Sequence, residues 1–309
     1  GGDSQGMNAA VYATVRYATE KGLEVYGIEL GYKGLIEGKV RKLSVTDVDD
    51  IIYRGGTILK TARCEEMKTV EGQKQAVKTL TDNGIDGLVV IGGDGSFNGA
   101  KVLSTQYGVK TMGIPGTIDN DLAYTDFTLG FDTAVNVVMN TITMLRDTMS
   151  CIVQVMGRNC GDIALYAGIT SAAEMILVPE VPFTMDEVVA RLQRNMSHGK
   201  NDNIIVVAEG AGKAEEMRVI VKERIPGINI RSMIVGHLQR GGDASFQDRL
   251  LGVRMASHAV ECLIEGKTNR VVGVRHNVII DEDIVEALSA RKSFNIDLYN
   301  LANKLVDTF

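Results

Sequence analysis

The sequence has no tryptophan, only 4 prolines and only 4 cysteines in 309 residues. The cysteines (Cys64, Cys151, Cys160 and Cys262) are scattered and form no C-x-x-C pair. Scattered thiols read as reduced ones, so a cytoplasmic protein is expected. No run of about 18 apolar residues occurs, which excludes a transmembrane helix of ordinary length, and the first residues show no secretory-signal pattern. Basic residues are not in excess: 33 Lys and Arg stand against 39 Asp and Glu, for a net charge of -6. A nucleic-acid binder would need a basic face, and none is indicated. What is plentiful is apolar surface and glycine. The chain is 45% hydrophobic with 34 glycines, enough for a large core and long enough that two domains are expected rather than one.

Short apolar runs alternate with longer helical patterns. LEVYGI (23–28), DGLVVIGG (86–93), VKTMGIP (109–115), CIVQVMG (151–157), AEMILVPE (173–180), NIIVVAEG (203–210) and MIVGHLQ (233–239) read as strands. Most are continuously apolar rather than alternating, which is the pattern of strands covered on both faces in a parallel sheet. Residues 70–84, closed by Gly84, and residues 132–148 carry apolar positions at helical spacing. This alternation predicts an α/β doubly wound fold, with ligands at the carboxyl ends of strands. The chain opens GGDSQGMNAA. Such a loop normally follows a strand, so a strand is expected ahead of it.

Five loops at strand ends carry chemistry. GGDSQGMNAA (1–10) offers backbone N–H groups and a helix N-terminus to a phosphate, although alone it also reads as a packing turn. In GGDGS (92–96) the glycines let the backbone approach a phosphate chain, and Asp94 supplies a hard oxygen suited to Mg²⁺. PGTIDND (115–121) holds two carboxylates, Asp119 and Asp121. Either a proton acceptor for an attacking hydroxyl or a solvated acidic turn satisfies that pattern. MGRNCGD (156–162) and GHLQRGG (236–242) each set an arginine beside glycine, and arginine forks match phosphate oxygens. One region thus combines glycine loops with a metal carboxylate. The other gathers Arg158, Arg231, His237 and Arg240. A carboxylate pair stands between them, as a kinase moving phosphate from a nucleotide to a phosphorylated acceptor requires.

These five motifs, in this order and over nearly the whole chain, resemble the bacterial ATP-dependent 6-phosphofructokinases. The resemblance implies two Rossmann-like α/β domains: an ATP-binding domain at 1–129 plus 240–290, and a sugar-phosphate-binding domain at 130–239 plus 291–309. It implies a cytoplasmic homotetramer that uses Mg²⁺ and ATP to phosphorylate fructose 6-phosphate at O1 in glycolysis. By the same resemblance, Gly2, Arg63, Cys64, Gly93, Asp94, Gly95 and Ser96 line the ATP site, with Tyr32 near the nucleotide and Asp94 on the metal. Asp119 is the base. Thr117 and Asp121 position acceptor and metal, and Arg158 and Arg63 stabilise the transferring phosphoryl group. Met156, Gly157, Glu209, Arg231, His237 and Arg240 hold the sugar phosphate. Pyrophosphate-using relatives carry an Asp and a Lys where this chain has Gly95 and Gly116; glycine leaves room there for the α-phosphate and nucleoside, so ATP is the expected donor.

The sequence departs from that family in three places. The RDTMSCIVQVMG segment, from residue 146, is several residues shorter than usual, where a substrate-binding arginine is expected. The effector site keeps Arg16, Glu174 and Lys200, but Tyr12, Val45 and His198 stand where basic residues are common. Losing cations at ~1.5–3 kcal/mol for each charged hydrogen bond predicts weakened allosteric control by ADP or phosphoenolpyruvate. Gln5 stands where proline is common.

Overall fold

The computed structural model describes residues 2–145 and 149–306. The shortened segment flagged above begins at 146–148, outside the described residues. The chain divides into two compact units. The first comprises Gly1–Ile118, Leu122–Thr133 and Arg240–Lys292, and the second Asp119–Asp121, Ala134–Gln239 and Ser293–Phe309.

In the first unit the elements run α1 (Met7–Glu20), β1 (Val25–Ile28), α2 (Gly31–Glu37), β2 (Val40–Leu43), α3 (Val70–Asp82), β3 (Leu88–Gly92), α4 (Asp94–Tyr107) and β4 (Thr111–Pro115). The helix α5 (Phe131–Leu145) starts in this unit and ends in the second. The second unit continues with β5 (Ser150–Val155), α6 (Asp162–Thr170), β6 (Met175–Leu177), α7 (Met185–Ser197), β7 (Ile204–Ala208), α8 (Ala214–Arg224) and β8 (Ile230–Ile234). The chain then returns to the first unit for α9 (Phe246–Ile264), β9 (Arg270–Arg275), β10 (Val278–Asp283) and α10 (Ile284–Ser289), and ends in the second with α11 (Ile296–Val306).

Each unit is built on a four-stranded sheet, β10-β9-β4-β3 in the first and β6-β7-β5-β8 in the second. The second sheet is parallel throughout, and in the first only β10 runs antiparallel, against β9. The α/β fold with mainly parallel sheets expected from the sequence is therefore the one observed. Every residue of β4 (TMGIP) and β7 (IIVVA) is buried, the mark of strands covered on both faces. Close helix packing in the first unit depends on Gly113 in β4. A Cβ there would lie 2.7 Å from the Phe97 ring of α4 and 2.8 Å from Val271 of β9. Phe97 is fully buried, which is worth roughly 1.5–3 kcal/mol of transfer free energy.

Local signals fix the helix ends. Thr69 Oγ1 accepts from Gly72 N at 3.1 Å and starts α3. Thr184 and Glu187 form a reciprocal capping box at α7. Gly108, at φ 71°, closes α4 in the left-handed conformation that glycine adopts without strain.

Three expectations about strands need correction. Residues 23–28 do not join a parallel sheet: β1 pairs antiparallel with β2 in a separate two-stranded ribbon. The strand expected at 233–239 ends at Ile234, because Gly236 at φ 54° turns the chain into a 3₁₀ turn over Gly236–Arg240. The Gln239 side chain holds that turn, its Nε2 donating to Gly236 O at 2.9 Å. β9 and β10 were not anticipated, although RVVGVR satisfies the same apolar-run criterion as the strands that were. Among the described residues, no helix is long and apolar enough to cross a membrane.

Candidate active site

In the first unit, β3 ends at Gly92 and α4 begins at Asp94, with Gly93 extended between them as the N-cap. The free N–H groups of the first helical turn point out of the strand end, where an anion is favoured by both hydrogen bonding and the helix dipole. Asp94 and Gly95 are exposed. A Cβ placed on Gly95 meets no atom within 4 Å, so the space beside this turn is open to a ligand. Tyr32 from α2 donates its hydroxyl to Ser96 O at 2.6 Å, bracing the turn from one side. Burial pushes this phenol well above its ordinary range, so it acts as a neutral donor. Arg63 is exposed, whereas Cys64 is half-buried with Sγ 3.5 Å from Glu66 Oε2. Burial also pushes the Cys64 thiol up.

The neighbouring turn after β4 carries Gly116 and Thr117. Gly116 was read from the sequence as leaving space for a nucleotide. In the structure a Cβ there would sit 2.7 Å from Met7 Cε, so this glycine serves packing against α1. Thr117 O accepts from Thr128 Oγ1 at 2.6 Å, and Gly93 packs near Thr117, where an added Cβ would lie 3.6 Å from the threonine Cβ. The two strand-end turns are therefore side by side. Arg240 also belongs to this unit: its Nη1 donates to Asp3 O at 3.0 Å, beside Gly2. Arg240, grouped from the sequence with the sugar-phosphate residues, lies beside the first glycine loop.

The second unit holds the carboxylate and its partner. Asp119 is buried at 1% exposure, and Arg158 Nε lies 3.2 Å from Asp119 Oδ2 while 69% of the arginine side chain remains exposed. Both residues sit in strained surroundings. Arg158 itself has φ 53° and Asn120, next to Asp119, has φ 52°. Such conformations cost of order 1–3 kcal/mol and persist only where neighbours enforce them. The enforcing contacts are present. Glu209 Oε1, at the end of β7, accepts from Gly157 N at 3.2 Å and Arg158 N at 2.8 Å. Gln239 Oε1 accepts from Met156 N at 3.2 Å. Asn120 Nδ2 donates to buried Asp162 Oδ2 at 2.8 Å, and Glu180 Oε1 accepts from Gly161 N at 2.8 Å. Arg231 in β8 and His237 in the 3₁₀ turn are exposed.

Glu209, expected to touch substrate, thus has one carboxylate oxygen committed to the Arg158 backbone. The struts Asn120, Asp162, Glu180 and Gln239 were not singled out from the sequence. Asn120, Asp162 and Gln239 lie inside TIDND, RNCGD and GHLQRGG, so a signal was present; nothing local marks Glu180.

The residues proposed for an effector make contacts of their own. Glu174, 3% exposed, pairs with Lys200 and accepts from Ile204 N at 2.5 Å. Arg16 pairs with Asp49 at 2.5 Å and lies over the Tyr12 ring, 5.0 Å from its centroid. His198 Nδ1 lies 2.8 Å from Arg194 O, and Val45 is exposed.

Comparison with known proteins places this geometry in a family. Residues 1–263 match the phosphofructokinase family. The ATP-dependent 6-phosphofructokinase of Clostridium botulinum strain Alaska E43 is 54% identical over 311 residues, covering 99% of this chain and 97% of that protein. The protein of the same name from strain Hall is 52% identical over 310 residues with the same coverage. Among solved structures, phosphofructokinase from Saccharomyces cerevisiae matches with a TM-score of 0.89 and 33% identity over 98% of this chain. This chain spans 48% of that yeast chain's length. A pyrophosphate-dependent phosphofructokinase from Marinobacter aquaeolei shares the fold, with a TM-score of 0.83 at 22% identity, over 96% of this chain and 84% of that one. From glycine loop to buried aspartate to strained arginine, the chain belongs to the phosphofructokinase family.

Proposed function

We propose that this chain transfers the γ-phosphoryl group of ATP to O1 of fructose 6-phosphate, giving fructose 1,6-bisphosphate and ADP. The observation that carries the reading is the buried Asp119 at the end of the β4 turn, 3.2 Å from the exposed guanidinium of Arg158. In this reading Asp119 accepts the proton of the sugar O1 hydroxyl as O1 attacks the γ-phosphorus. The bond from that phosphorus to the bridging oxygen breaks, and ADP leaves with the bonding electrons. Arg158 is an exposed cation held at its backbone by Glu209, and in this reading its guanidinium turns from Asp119 to the equatorial phosphoryl oxygens where negative charge spreads. The glycine turn at 92–95 and the N-terminus of α4 receive the donor phosphates. Thr117 and Asp121 position the acceptor. Met156, Gly157, Arg231, His237 and Arg240 receive the sugar phosphate, with Arg63 adding positive charge on the donor side.

Asp94 suits Mg²⁺. It is a single exposed carboxylate beside the phosphate turn, with Asn98 Nδ2 3.3 Å from its Oδ2, and Mg²⁺ is commonly held by one or two carboxylates together with substrate phosphates and waters. When bound, the ion neutralises charge on the donor phosphates. Open space at Gly95 supports ATP as donor, as do relatives named ATP-dependent. Cytoplasmic location and a homotetrameric assembly are part of the same proposal, as is weak allosteric control given Tyr12, Val45 and His198. A coupled assay of the purified chain with Mg²⁺, fructose 6-phosphate and either ATP or pyrophosphate tests the reading, with ADP and phosphoenolpyruvate added in turn. ATP-only turnover with a flat effector response supports it. Absence of turnover with both donors overturns it, and turnover with pyrophosphate alone overturns the donor assignment.

A further inference from the structure

Outside the loops above, three side chains of different chemistry converge in the first unit. His258 and Cys262 stand one helical turn apart on α9, so they share a face. Asp281 comes from β10, the edge strand of the first unit's sheet. Asp281 Oδ1 lies 2.9 Å from His258 Nε2, and Cys262 Sγ lies 3.5 Å from the same nitrogen. The ligating atoms of all three lie within 4.8 Å of one another, the one such group of His, Cys, Asp or Glu found among the described residues.

We propose that His258, Cys262 and Asp281 bind a divalent transition-metal ion of the zinc class. The ring nitrogen and the Cys262 thiol both face the Asp281 carboxylate, so hydrogen bonds to that one acceptor hold the three groups together in the metal-free chain. This is not a proton-relay arrangement, because such a relay needs the two partners on opposite ring nitrogens. A cation at the meeting point would take one lone pair from each group.

The spacing suits a small tetrahedral ion. Zn–S near 2.3 Å with Zn–N and Zn–O near 2.1 Å makes tetrahedral edges of about 3.3–3.6 Å. The observed 2.9 and 3.5 Å lie near these edges, and the third edge, from Cys262 to Asp281, is within 4.8 Å. A neutral imidazole, a thiolate and a carboxylate balance the 2+ charge, and the thiol proton passes to solvent as the Sγ–metal bond forms. Sulfur with imidazole nitrogen selects zinc-like ions over Mg²⁺ or Ca²⁺. Three protein ligands leave the fourth position to water.

The surroundings are those of a ligand set with support. Arg270 Nε pairs with Asp281 Oδ2, and its Nη2 donates to Asp281 O at 2.7 Å. The other carboxylate oxygen is thereby aimed at His258, as outer partners orient metal-binding carboxylates. Lys267 Nζ, 3.7 Å from Asp281 Oδ1, is the competing cation. It is exposed and also reaches Glu265 at 3.1 Å, so it can turn away. A bound ion would tie the edge strand β10 to α9.

The test uses the full chain, stripped with EDTA and titrated with Co²⁺. The expected result is one Co²⁺ per chain, with a near-ultraviolet thiolate-to-cobalt absorption that Zn²⁺ displaces. Cys262→Ala should abolish that band. His258→Gln should weaken Co²⁺ binding at least ~10–100-fold, and Zn²⁺ should raise the melting temperature of the wild type alone. Circular dichroism establishes that each variant is folded. If Cys262→Ala does not fold, folded His258→Gln carries the test, and unchanged Co²⁺ affinity there overturns the proposal. So does the absence of a thiolate band in the wild type, or its persistence in folded Cys262→Ala.

Discussion

The two units hold their functional loops by different means. In the first, the turns after β3 and β4 are made of glycine backbone, and the space beside Gly95 is empty of side chains. In the second, the loop carrying Arg158 is strained and is fastened by side chains from elsewhere: Glu209 at the end of β7 and Gln239 in the 3₁₀ turn. The difference follows from what each must present. A phosphate chain is recognised by many backbone N–H groups, which need close approach and therefore glycine. A single proton acceptor and a single guanidinium need fixed positions, which need struts. The first unit has side-chain struts as well: Tyr32 braces the turn after β3, and Asp248, 1% exposed, accepts from Gly130 N at 2.8 Å, Thr133 N at 2.9 Å and Thr133 Oγ1 at 2.5 Å. Glu209 performs the same geometric task in water.

The sharpest break in this comparison is chemical. Asp119→Ala removes the proton acceptor and leaves the donor turn untouched. Turnover should fall by roughly 10²–10⁴-fold, the usual worth of a general base, while nucleotide binding measured by calorimetry stays within a few-fold. A variant that retains turnover removes Asp119 from the mechanism.

Next in size is the buried strut. Burial pushes Asp248 from 3.8 up to about 6, against the pull of its three donors. The folded protein then holds this proton more tightly than the unfolded chain. Asp248 therefore contributes stability that is full below pH ~4 and lost as pH rises through about 6. Two pKa units correspond to about 3 kcal/mol. Urea unfolding between pH 4 and 7 should show that decline in the wild type and lack it in Asp248→Asn. Parallel profiles would mean that the donors outweigh burial.

Glu209→Ala releases the backbone of Arg158. We expect kcat/KM for the sugar phosphate to fall ~10–100-fold through lost positioning, with Glu209→Gln, which keeps an acceptor oxygen, recovering most of it. If the two variants are equally poor, the carboxylate acts on substrate rather than on the loop.

The smallest effect contrasts two glycines of the first unit. Gly95→Ala enters open space and should leave the melting temperature unchanged, with at most a few-fold change in KM for ATP. Gly113→Ala forces a contact 2.7 Å from Phe97 and should cost ~1–3 kcal/mol. Equal melting temperatures would show that α4 can draw back from the sheet.

Much of the site was legible because its residues lie in short motifs whose chemistry is local. GGDGS reads as a phosphate turn with no knowledge of the fold, and TIDND displays its carboxylates in sequence. What was not legible depends on partners brought from far along the chain. Gly116 read as ligand space but packs on Met7, over a hundred residues earlier. Arg240 read as a sugar-phosphate residue, and its contact with Asp3, 237 positions away, was not readable. No periodicity encodes those distances.

The amino-acid sequence by itself determined the α/β alternation, the parallel character of the buried strands and the order of the phosphate-handling loops. Each of these follows from the local period of apolar residues or from residue types confined to a few positions. Only the tertiary structure decided that β1 and β2 form an antiparallel ribbon, that Glu209, Gln239 and Asp248 act as struts, and that Asp281 meets His258 and Cys262. Those outcomes depend on which distant segments the sheet brings together, and a contact between distant segments is selected by the packing of the whole unit rather than by the neighbours of either residue.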